Sequence, residues 1–297
     1  KLSPDSKVFS CELRCCALVN TEIENMSRLS KITAAAEEAG RKLLIPYLVA
    51  GDPNIKATEA LMHVLVEKGA DVIELGIPFS DPSSDGPVIQ RGVERALKGR
   101  TSLQDTLDLV ARFRASNRDT GIVLMGYLNP LEIMGYEKFV DEATRVGVDG
   151  VLIVDMPPAE SSDLHARLQQ ADIATIYLVA PTTKEERAKD IVAHCTGYLY
   201  YVSLKGVTGA ALTNEQEVAD KIKALREFTQ LPIVIGFGIK DAESARAMGQ
   251  ISDGVIIGSA LVDKIAGLSA DAQPTAEQCA EICSTIALAR QALDALE

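Results

Sequence analysis

Long hydrophobic runs, histidine and cysteine are scarce in this chain of 297 residues, which contains three histidines and six cysteines. Without a run of about 18 or more apolar residues, the sequence predicts no segment that spans a membrane. The first residues also lack the charged and then apolar layout of a secretory signal. Six unevenly spaced cysteines are too few for a disulfide scaffold in a chain of this length. We therefore expect a cytoplasmic protein.

Positive charge is also in deficit, because 30 lysines and arginines face 42 aspartates and glutamates, for a formal net charge of −12. No basic stripe is present, and this excludes nucleic acid as an expected partner. An acidic protein that binds an anion must do so through local features such as helix N-termini. The histidines, His63, His165 and His194, fall in helix-like stretches, and we therefore predict no metal site.

The first 25 residues differ from those that follow. They are polar at first, have no clear periodicity and contain three of the six cysteines. We expect residues 1–25 to be a non-native or disordered leader and residues 26–297 to form one domain. Within that domain a helical pattern runs over residues 27–39, and Gly40 is a suitable residue to end it.

From residue 43 onward, eight short apolar runs alternate with longer amphipathic stretches. The runs cover residues 43–49, 71–76, 122–126, 150–154, 174–179, 198–202, 232–236 and 254–257. Runs that are apolar throughout are typical of parallel strands covered on both faces. Helical patterns between them predict βαβ units, and eight such units favour closure into a barrel.

The turn after the first run argues against the open-sheet alternative. It reads Ala50-Gly51-Asp52-Pro53 and lacks the G-x-G-x-x-G of a dinucleotide-binding sheet. We therefore predict the α/β class and a (β/α)8 TIM barrel with extra helices at the N-terminus, after strand 2 and at the C-terminus, the last over about residues 275–296. In such barrels the active site lies at the carboxyl ends of the strands.

Glu74 stands near the carboxyl end of the second run. Burying an unpaired carboxylate is costly, and no lysine or arginine lies nearby in sequence. Glu74 is either a core carboxylate held by a partner or a functional group, and we favour the second. Desolvation should raise its pKa, which suits a group that gives and accepts a proton.

Asp85 lies in the proline-rich loop that follows the second run, and that loop also contains Asp81. Asp85 comes just before Gly86 and Pro87, where a helix is expected to begin. Two interpretations stay open from the residues alone. The carboxylate either caps the helix or forms an Asx turn, or it takes part in chemistry.

Glycines follow the last two runs, where barrels often hold a phosphate with backbone amides. Gly238, Gly258 and Ser259 are candidates, although the glycines could simply form tight turns. For an apolar ligand group the candidates are four side chains within or just after strands, which could equally be core residues. They are Tyr47, Met125, Tyr127 and Tyr200.

The segment 74–90, ELGIPFSDPSSDGPVIQ, resembles the signature of the tryptophan synthase alpha subunit family. Further motifs of that family stand between residues 27 and 265, among them 50–53 (AGDP), 155–157 (DMP), 206–209 (GVTG), 236–239 (GFGI) and 258–259 (GS). The resemblance implies a lyase of L-tryptophan biosynthesis that cleaves indole-3-glycerol phosphate to indole and glyceraldehyde 3-phosphate by a retro-aldol reaction. It also implies Glu74 and Asp85 as the catalytic acids.

The resemblance extends to the remaining site and to partners. We expect the four side chains listed above to contact the indole, and the resemblance strengthens this for Tyr127 and Tyr200. It also implies that Gly209 joins the phosphate-binding residues, among which we include Phe237, between Gly236 and Gly238. It implies that Thr208, in a lid, positions the loop aspartate. It implies no cofactor in this chain and an α2β2 heterotetramer in which a pyridoxal-phosphate β subunit consumes the indole. The sequence departs from the family pattern at Ser83-Ser84 and at Leu204-Lys205.

Two other functions compete with this interpretation. One is another phosphosugar-barrel enzyme, but an indole-glycerol-phosphate synthase would need lysines at strand ends, where only Lys205 lies nearby, and an epimerase would need metal ligands. The other is a non-catalytic barrel subunit that activates a partner. The presence of both Glu74 and Asp85 argues against it.

Overall fold

A computed structural model of the chain describes residues 26–203, 215–236 and 238–296. The expected leader, residues 1–25, lies outside this part, as do Thr208, Gly209 and Phe237. The boundary at residue 25 therefore stays a prediction. None of the helices in the described residues is long and apolar enough to cross a membrane.

The described residues form nine strands and twelve α-helices. The strands are β1 (Leu43–Val49), β2 (Val72–Gly76), β3 (Gly121–Gly126), β4 (Gly150–Ile153), β5 (Ala174–Thr175), β6 (Tyr177–Val179), β7 (Leu199–Val202), β8 (Ile233–Gly236) and β9 (Gly254–Ile257). The helices are α1 (Arg28–Glu38), α2 (Ile55–Glu67), α3 (Pro87–Lys98), α4 (Leu103–Arg114), α5 (Leu128–Met134), α6 (Tyr136–Val146), α7 (Ser162–Gln170), α8 (Glu185–His194), α9 (Glu215–Arg226), α10 (Ala242–Ile251), α11 (Ser259–Ile265) and α12 (Ala276–Asp294).

All strand pairs are parallel, in the order β5-β4-β3-β2-β1-β9-β8-β7-β6. The fifth predicted run is divided at Ile176 into β5 and β6, because its first half pairs with β4 and its second half with β7. The Ile176 amide still donates to the carbonyl of Val151 at 2.9 Å. The sheet therefore closes through this one segment, and the predicted TIM barrel is confirmed.

Alternate residues of each strand face two different cores. On β1, Leu44 and Leu48 belong to the layer between strands and helices, whereas Ile45, Tyr47 and Val49 belong to the barrel interior. The same alternation applies to the other strands that surround the interior. It decides which side chains near the carboxyl ends of the strands can meet inside the barrel.

The extra helices lie where the sequence predicted them. Helix α1 begins after its N-cap Ser27 and inserts the fully buried Leu29 into the interior cluster. Helices α3 and α4 both follow β2. Helix α12 packs on the outside of the barrel against α2 and α10. Helix α2 begins at Ile55, after its N-cap Asn54.

At the amino-terminal end of the barrel, aspartates that precede strands bind the neighbouring strand. Asp71, Asp149 and Asp253 come directly before β2, β4 and β9, respectively. Each accepts the amide N–H of a residue at the start of the adjacent strand, and each also pairs with arginine. These carboxylates therefore join consecutive strands and helices far from the expected site.

We expect Asp149→Asn to lower the free energy of unfolding by about 3–5 kcal/mol, because it breaks a buried charge cluster. Arg114 donates to Asp149 Oδ2 at 2.6 Å, and Arg28 contacts the other oxygen. Urea unfolding measures the loss. As the control, Asp163→Asn removes an exposed ion pair with Arg167 and should cost less than about 1 kcal/mol. Equal losses in the two variants would contradict this assignment.

Candidate active site

The barrel interior brings the predicted side chains to the carboxyl ends of the strands. Tyr47 on β1 lies opposite Glu74 on β2 in the parallel register, and Met125 on β3 lies opposite Gly76. Tyr200 lies on β7, across the barrel. Glu74 is fully buried, and it shares the interior face with Val72 because the two are two residues apart.

Glu74 has a neutral partner. The hydroxyl of Tyr198 donates to Glu74 Oε1 at 2.6 Å, and among the described residues Oε2 has no hydrogen-bond partner. Burial raises the pKa of Glu74 to about 7, and the Tyr198 hydrogen bond lowers it in part. A carboxyl group with this pKa is readily both a donor and an acceptor of protons near neutral pH.

Tyr198 is a site residue that our sequence interpretation did not include. It is fully buried, and the hydroxyl of a buried tyrosine usually finds a hydrogen-bond partner. The available signal was its spacing from Tyr200, because residues two apart on a strand share a face. Both tyrosines therefore face the interior that holds Glu74.

Asp85 is held by a hydrogen bond to a tyrosine. The hydroxyl of Tyr127 donates to Asp85 Oδ2 at 3.1 Å and accepts the amide N–H of Ser84 at 3.0 Å. Burial raises the pKa of Asp85 to about 6, and the Tyr127 bond opposes the shift. The N-cap of α3 is Gly86, without a side-chain cap in the described residues, so Asp85 does not cap this helix.

The loop that carries Asp85 is fixed to the helix that follows it. Gln90, in the first turn of α3, donates to the backbone carbonyl of Asp85 at 2.9 Å. On the other side of the loop, the rings of Phe79 and Tyr127 lie 5.4 Å apart between centroids. Asp81 is exposed and bonds to the neighbouring Ser80, so it faces away from these contacts.

A narrow recess of about 10 Å³, lined mainly by apolar and aromatic side chains, adjoins Asp85. Its lining includes Tyr47, Met125 and Tyr127, three of the four predicted indole contacts. The fourth, Tyr200, is buried in the interior and is not part of this lining. The recess combines an anionic side with an apolar wall, and this chemistry suits a flat aromatic ring that carries positive charge. Because the recess is so narrow, its side chains must move apart to admit such a ring.

Two glycines allow tyrosine rings to cross the strand ends. A Cβ added at Gly76 would lie 2.2 Å from the Tyr47 hydroxyl oxygen, and one added at Gly236 would lie 2.1 Å from that of Tyr200. Either distance is far below a van der Waals contact, so these positions require glycine. The close approach explains how two large side chains fit beside Glu74.

Three of the predicted phosphate-binding residues, Gly238, Gly258 and Ser259, follow the ends of two adjacent strands, β8 and β9. Gly258 follows β9 and is the N-cap of α11, and Ser259 is the exposed first residue of that helix. Gly238 is exposed and adopts a positive φ of 78°, a conformation that favours glycine. The first amides of a helix have no partner within the helix, which suits an anion.

The fold and the site together define a class of protein. It is a (β/α)8-barrel enzyme with one buried carboxyl group, Glu74, and one partly buried carboxyl group, Asp85, whose pKa values approach neutrality, beside a recess lined mainly by apolar side chains. Within the described part of the chain, no group of three or more His, Cys, Asp or Glu is placed to hold a metal ion. Such a site can move protons and stabilise positive charge.

Comparison with known proteins identifies the family. The model of the tryptophan synthase alpha chain family matches residues 33–291. The tryptophan synthase alpha chain of Marinobacter nauticus is 51% identical over 271 residues, which are 91% of this chain and 99% of the relative. That of Methylococcus capsulatus is 53% identical over 271 residues, 91% of this chain and 100% of the relative.

Solved structures agree. The crystal structure of tryptophan synthase subunit alpha from Legionella pneumophila superposes with a TM-score of 0.83 at 39% identity, covering 91% of this chain and 99% of that one. The chain therefore belongs to the tryptophan synthase alpha chain family. The predicted family and the predicted lyase function in tryptophan biosynthesis are confirmed, whereas the roles of single site residues stay predictions.

Proposed function

We propose that this chain cleaves indole-3-glycerol phosphate to indole and glyceraldehyde 3-phosphate, with Glu74 transferring the protons. The observation that carries the proposal is the environment of Glu74. Its carboxyl group is buried, has one oxygen without a partner among the described residues, and has a pKa of about 7. The family supplies the substrate, and this environment supplies the acid and base that the reaction needs.

The retro-aldol step needs a proton at two places. Protonated Glu74 gives its proton to indole C3, and the bond from C3 to the glycerol chain then breaks. The resulting carboxylate takes the proton of the adjacent glycerol hydroxyl, which becomes the aldehyde. Glu74 thus ends in its starting form, and no net proton is gained or lost. A pKa of about 7 allows both transfers at neutral pH.

Asp85 would stabilise the intermediate. Protonation at C3 places positive charge on the indole nitrogen, and an ionised carboxylate beside the ring lowers the energy of that state. The bond from the Tyr127 hydroxyl fixes one oxygen of Asp85 and leaves the other for the ring N–H. The neighbouring recess, with Tyr47 and Met125 in its wall, is the proposed place of the indole.

We propose that the phosphate binds at the carboxyl ends of β8 and β9. Gly238, Gly258 and Ser259 would donate hydrogen bonds to it, together with Phe237 and Gly209, which lie outside the described residues. Backbone amides and a hydroxyl can hold an anion in a protein of net negative charge. The binding energy of the phosphate would keep the indole ring in place during proton transfer.

The further expectations concern partners and location. We propose an α2β2 complex with a tryptophan synthase β subunit, which would contain the pyridoxal phosphate, while this chain needs no cofactor. We also propose a cytoplasmic location and a single barrel domain over residues 26–297. Membership in the alpha chain family supports each of these.

Indole formation from indole-3-glycerol phosphate tests the proposal directly. The purified chain is assayed alone and with a β subunit, with indole measured as the product. We expect indole in both assays and faster formation in the complex. Absence of indole in both would overturn the proposed reaction and favour a non-catalytic subunit.

The pH profile of kcat/KM provides a second test. Activity requires ionised Asp85, with a pKa of about 6, and protonated Glu74, with a pKa of about 7. We therefore expect a bell-shaped profile that falls above about pH 7 and below about pH 6. Since the substrate phosphate also ionises near pH 6, the alkaline limb is the informative one.

Tyr198→Phe should move that alkaline limb to higher pH. The Tyr198 hydrogen bond lowers the pKa of Glu74, so its removal raises that pKa and extends the range in which Glu74 holds its proton. As the control, Tyr177→Phe removes another buried hydroxyl, bonded to Ser161, and should leave both limbs in place. An alkaline limb that stays fixed in Tyr198→Phe would contradict the assignment of this limb to Glu74.

A further inference from the structure

A buried ion pair lies behind the proposed site. The carboxylate of Asp52, in the turn after β1, is completely shielded from solvent, and the Arg95 side chain on α3 is 23% exposed. Arg95 donates from Nε to Asp52 Oδ1 at 2.7 Å and from Nη2 to Asp52 Oδ2 at 2.8 Å. Two parallel hydrogen bonds fix the orientation of both groups, unlike a single contact between charges.

The pair joins three elements of the barrel. Besides Asp52, Arg95 Nη2 also contacts the carbonyl of Val262 on α11, at 3.3 Å. Gly92, one turn earlier on α3, permits this approach, because an added Cβ would lie 2.7 Å from Val262 Cγ1 and 2.9 Å from Asp52 Oδ2. The turn after β1, helix α3 and helix α11 therefore meet at Arg95.

Each of the two helices adjoins one end of the proposed site. On α3, Gln90 binds the backbone of Asp85, so the position of the carboxylate loop follows that of the helix. Helix α11 begins at Ser259, directly after Gly258. The fork of Arg95 is thus one of the contacts that join the helix beside the carboxylate loop to the helix at the proposed phosphate end.

Stability alone does not account for such a pair. Burial raises the pKa of Asp52, and the Arg95 guanidinium offsets this only in part, so the charged pair has an energetic cost. Replacing a buried ion pair with uncharged residues of similar volume is often neutral or stabilising. A fixed geometry between elements is what the bidentate pair adds.

We propose that Asp52 and Arg95 form a positioning pair, which keeps Asp85 at a constant distance from the phosphate-binding end of α11 during the reaction. This inference rests on the proposed function. Neither residue touches the reacting atoms, and both act through the helices that they join. The reaction requires the indole and the phosphate of one substrate to be held at once, so a shift between the two ends lowers the rate.

The double variant Asp52→Asn/Arg95→Met tests the pair without leaving an unpaired buried charge. We expect it to stay folded, with a thermal midpoint within a few degrees of wild type, and to lose about 10- to 100-fold in kcat. Competitive inhibition by inorganic phosphate should stay within about twofold, since each end of the site is intact and only their separation is altered. Arg95→Lys, which keeps the charge but loses the fork, should recover only part of kcat.

Arg112→Met is the matched control, because it removes an arginine from a more exposed ion pair with Glu59 on the neighbouring helices. It should leave kcat and phosphate inhibition at wild-type values. A folded double variant with wild-type kcat would overturn the inference. The inference would also be overturned if inhibition by inorganic phosphate weakened by the same factor as kcat. Arg95 would then support only the phosphate-binding end of α11. If the wild-type chain itself forms no indole, the proposed function fails and this inference falls with it.

Discussion

Glu74→Gln should lower the rate of indole formation by at least about 10³-fold while the barrel stays folded. General acid–base catalysis contributes about 10²–10⁴-fold in enzymes, and in the proposed mechanism one group serves both proton transfers. Glutamine matches the size of glutamate and can still accept the Tyr198 hydrogen bond, but it cannot transfer a proton. Single-turnover indole assays and circular dichroism measure the two effects.

The same variant should become more stable than wild type as the pH rises. Burial raises the pKa of Glu74 to about 7 from an ordinary 4.5, so the folded state holds the proton more tightly than the unfolded state. The resulting stabilisation is complete below about pH 4.5 and is lost as the pH rises through 7. The loss of this stabilisation is on the order of 3 kcal/mol. The Glu74→Gln variant does not lose stability in this way, because glutamine does not ionise.

Urea unfolding at pH 5 and pH 8 checks this second effect, and we expect the advantage of Glu74→Gln to be larger at pH 8. Glu59→Gln, on α2, is a control at a partly exposed position and should leave the activity unchanged. Near-wild-type turnover in Glu74→Gln would exclude Glu74 as the group that moves the protons.

Asp85→Asn should reduce kcat by about 10²–10³-fold, the usual cost of removing one preorganised electrostatic contact to a transition state. Asparagine can still accept the Tyr127 hydrogen bond, so the loop should keep its position. What disappears is the negative charge beside the indole nitrogen. Steady-state indole formation at pH 7 gives the rate, and the unchanged Gln90 contact to the backbone favours an intact fold.

Asp81→Asn is the control for this prediction. Asp81 lies in the same loop, four residues from Asp85, but it is exposed and bonds to Ser80. In the isolated chain it should retain wild-type kcat. Equal losses in the two variants would mean that the loop needs its overall charge and that Asp85 has no separate task.

Much of the fold was predictable because parallel strands covered on both faces are apolar throughout. The runs that became β1 and β9 match the predicted residues 43–49 and 254–257. The division of the fifth run at Ile176 was not predictable, since it depends on the change of pairing partner from β4 to β7. Local sequence does not encode which neighbour a strand binds.

The site was predictable only in part, for a similar reason. Glu74 could be chosen because a carboxylate inside an apolar run is costly to bury. The partner Tyr198 lies 124 residues away in sequence, so only closure of the barrel brings it to Glu74. Asp85 looked equally like a helix cap until Gly86 was found in that position.

The proposed positioning role of Arg95 could not be predicted from the sequence. On a helix Arg95 looks like one charged residue among many, and Asp52 looks like a turn residue beside Pro53. Their contact spans 43 positions and joins two elements that are apart in the chain. Only the structure shows that the carboxylate is buried and that both hydrogen bonds form.

Glu74 is proposed to titrate near neutral pH and thereby to serve as both acid and base. Carbon-13 NMR of the free chain, labelled at the glutamate side-chain carboxyl carbons, measures this pKa, and the Glu74→Gln variant assigns the resonance by its loss. We predict a pKa of about 7 that coincides with the alkaline limb of kcat/KM. A resonance that titrates at the ordinary value of 4.5 for glutamate would exclude Glu74 as this acid and base.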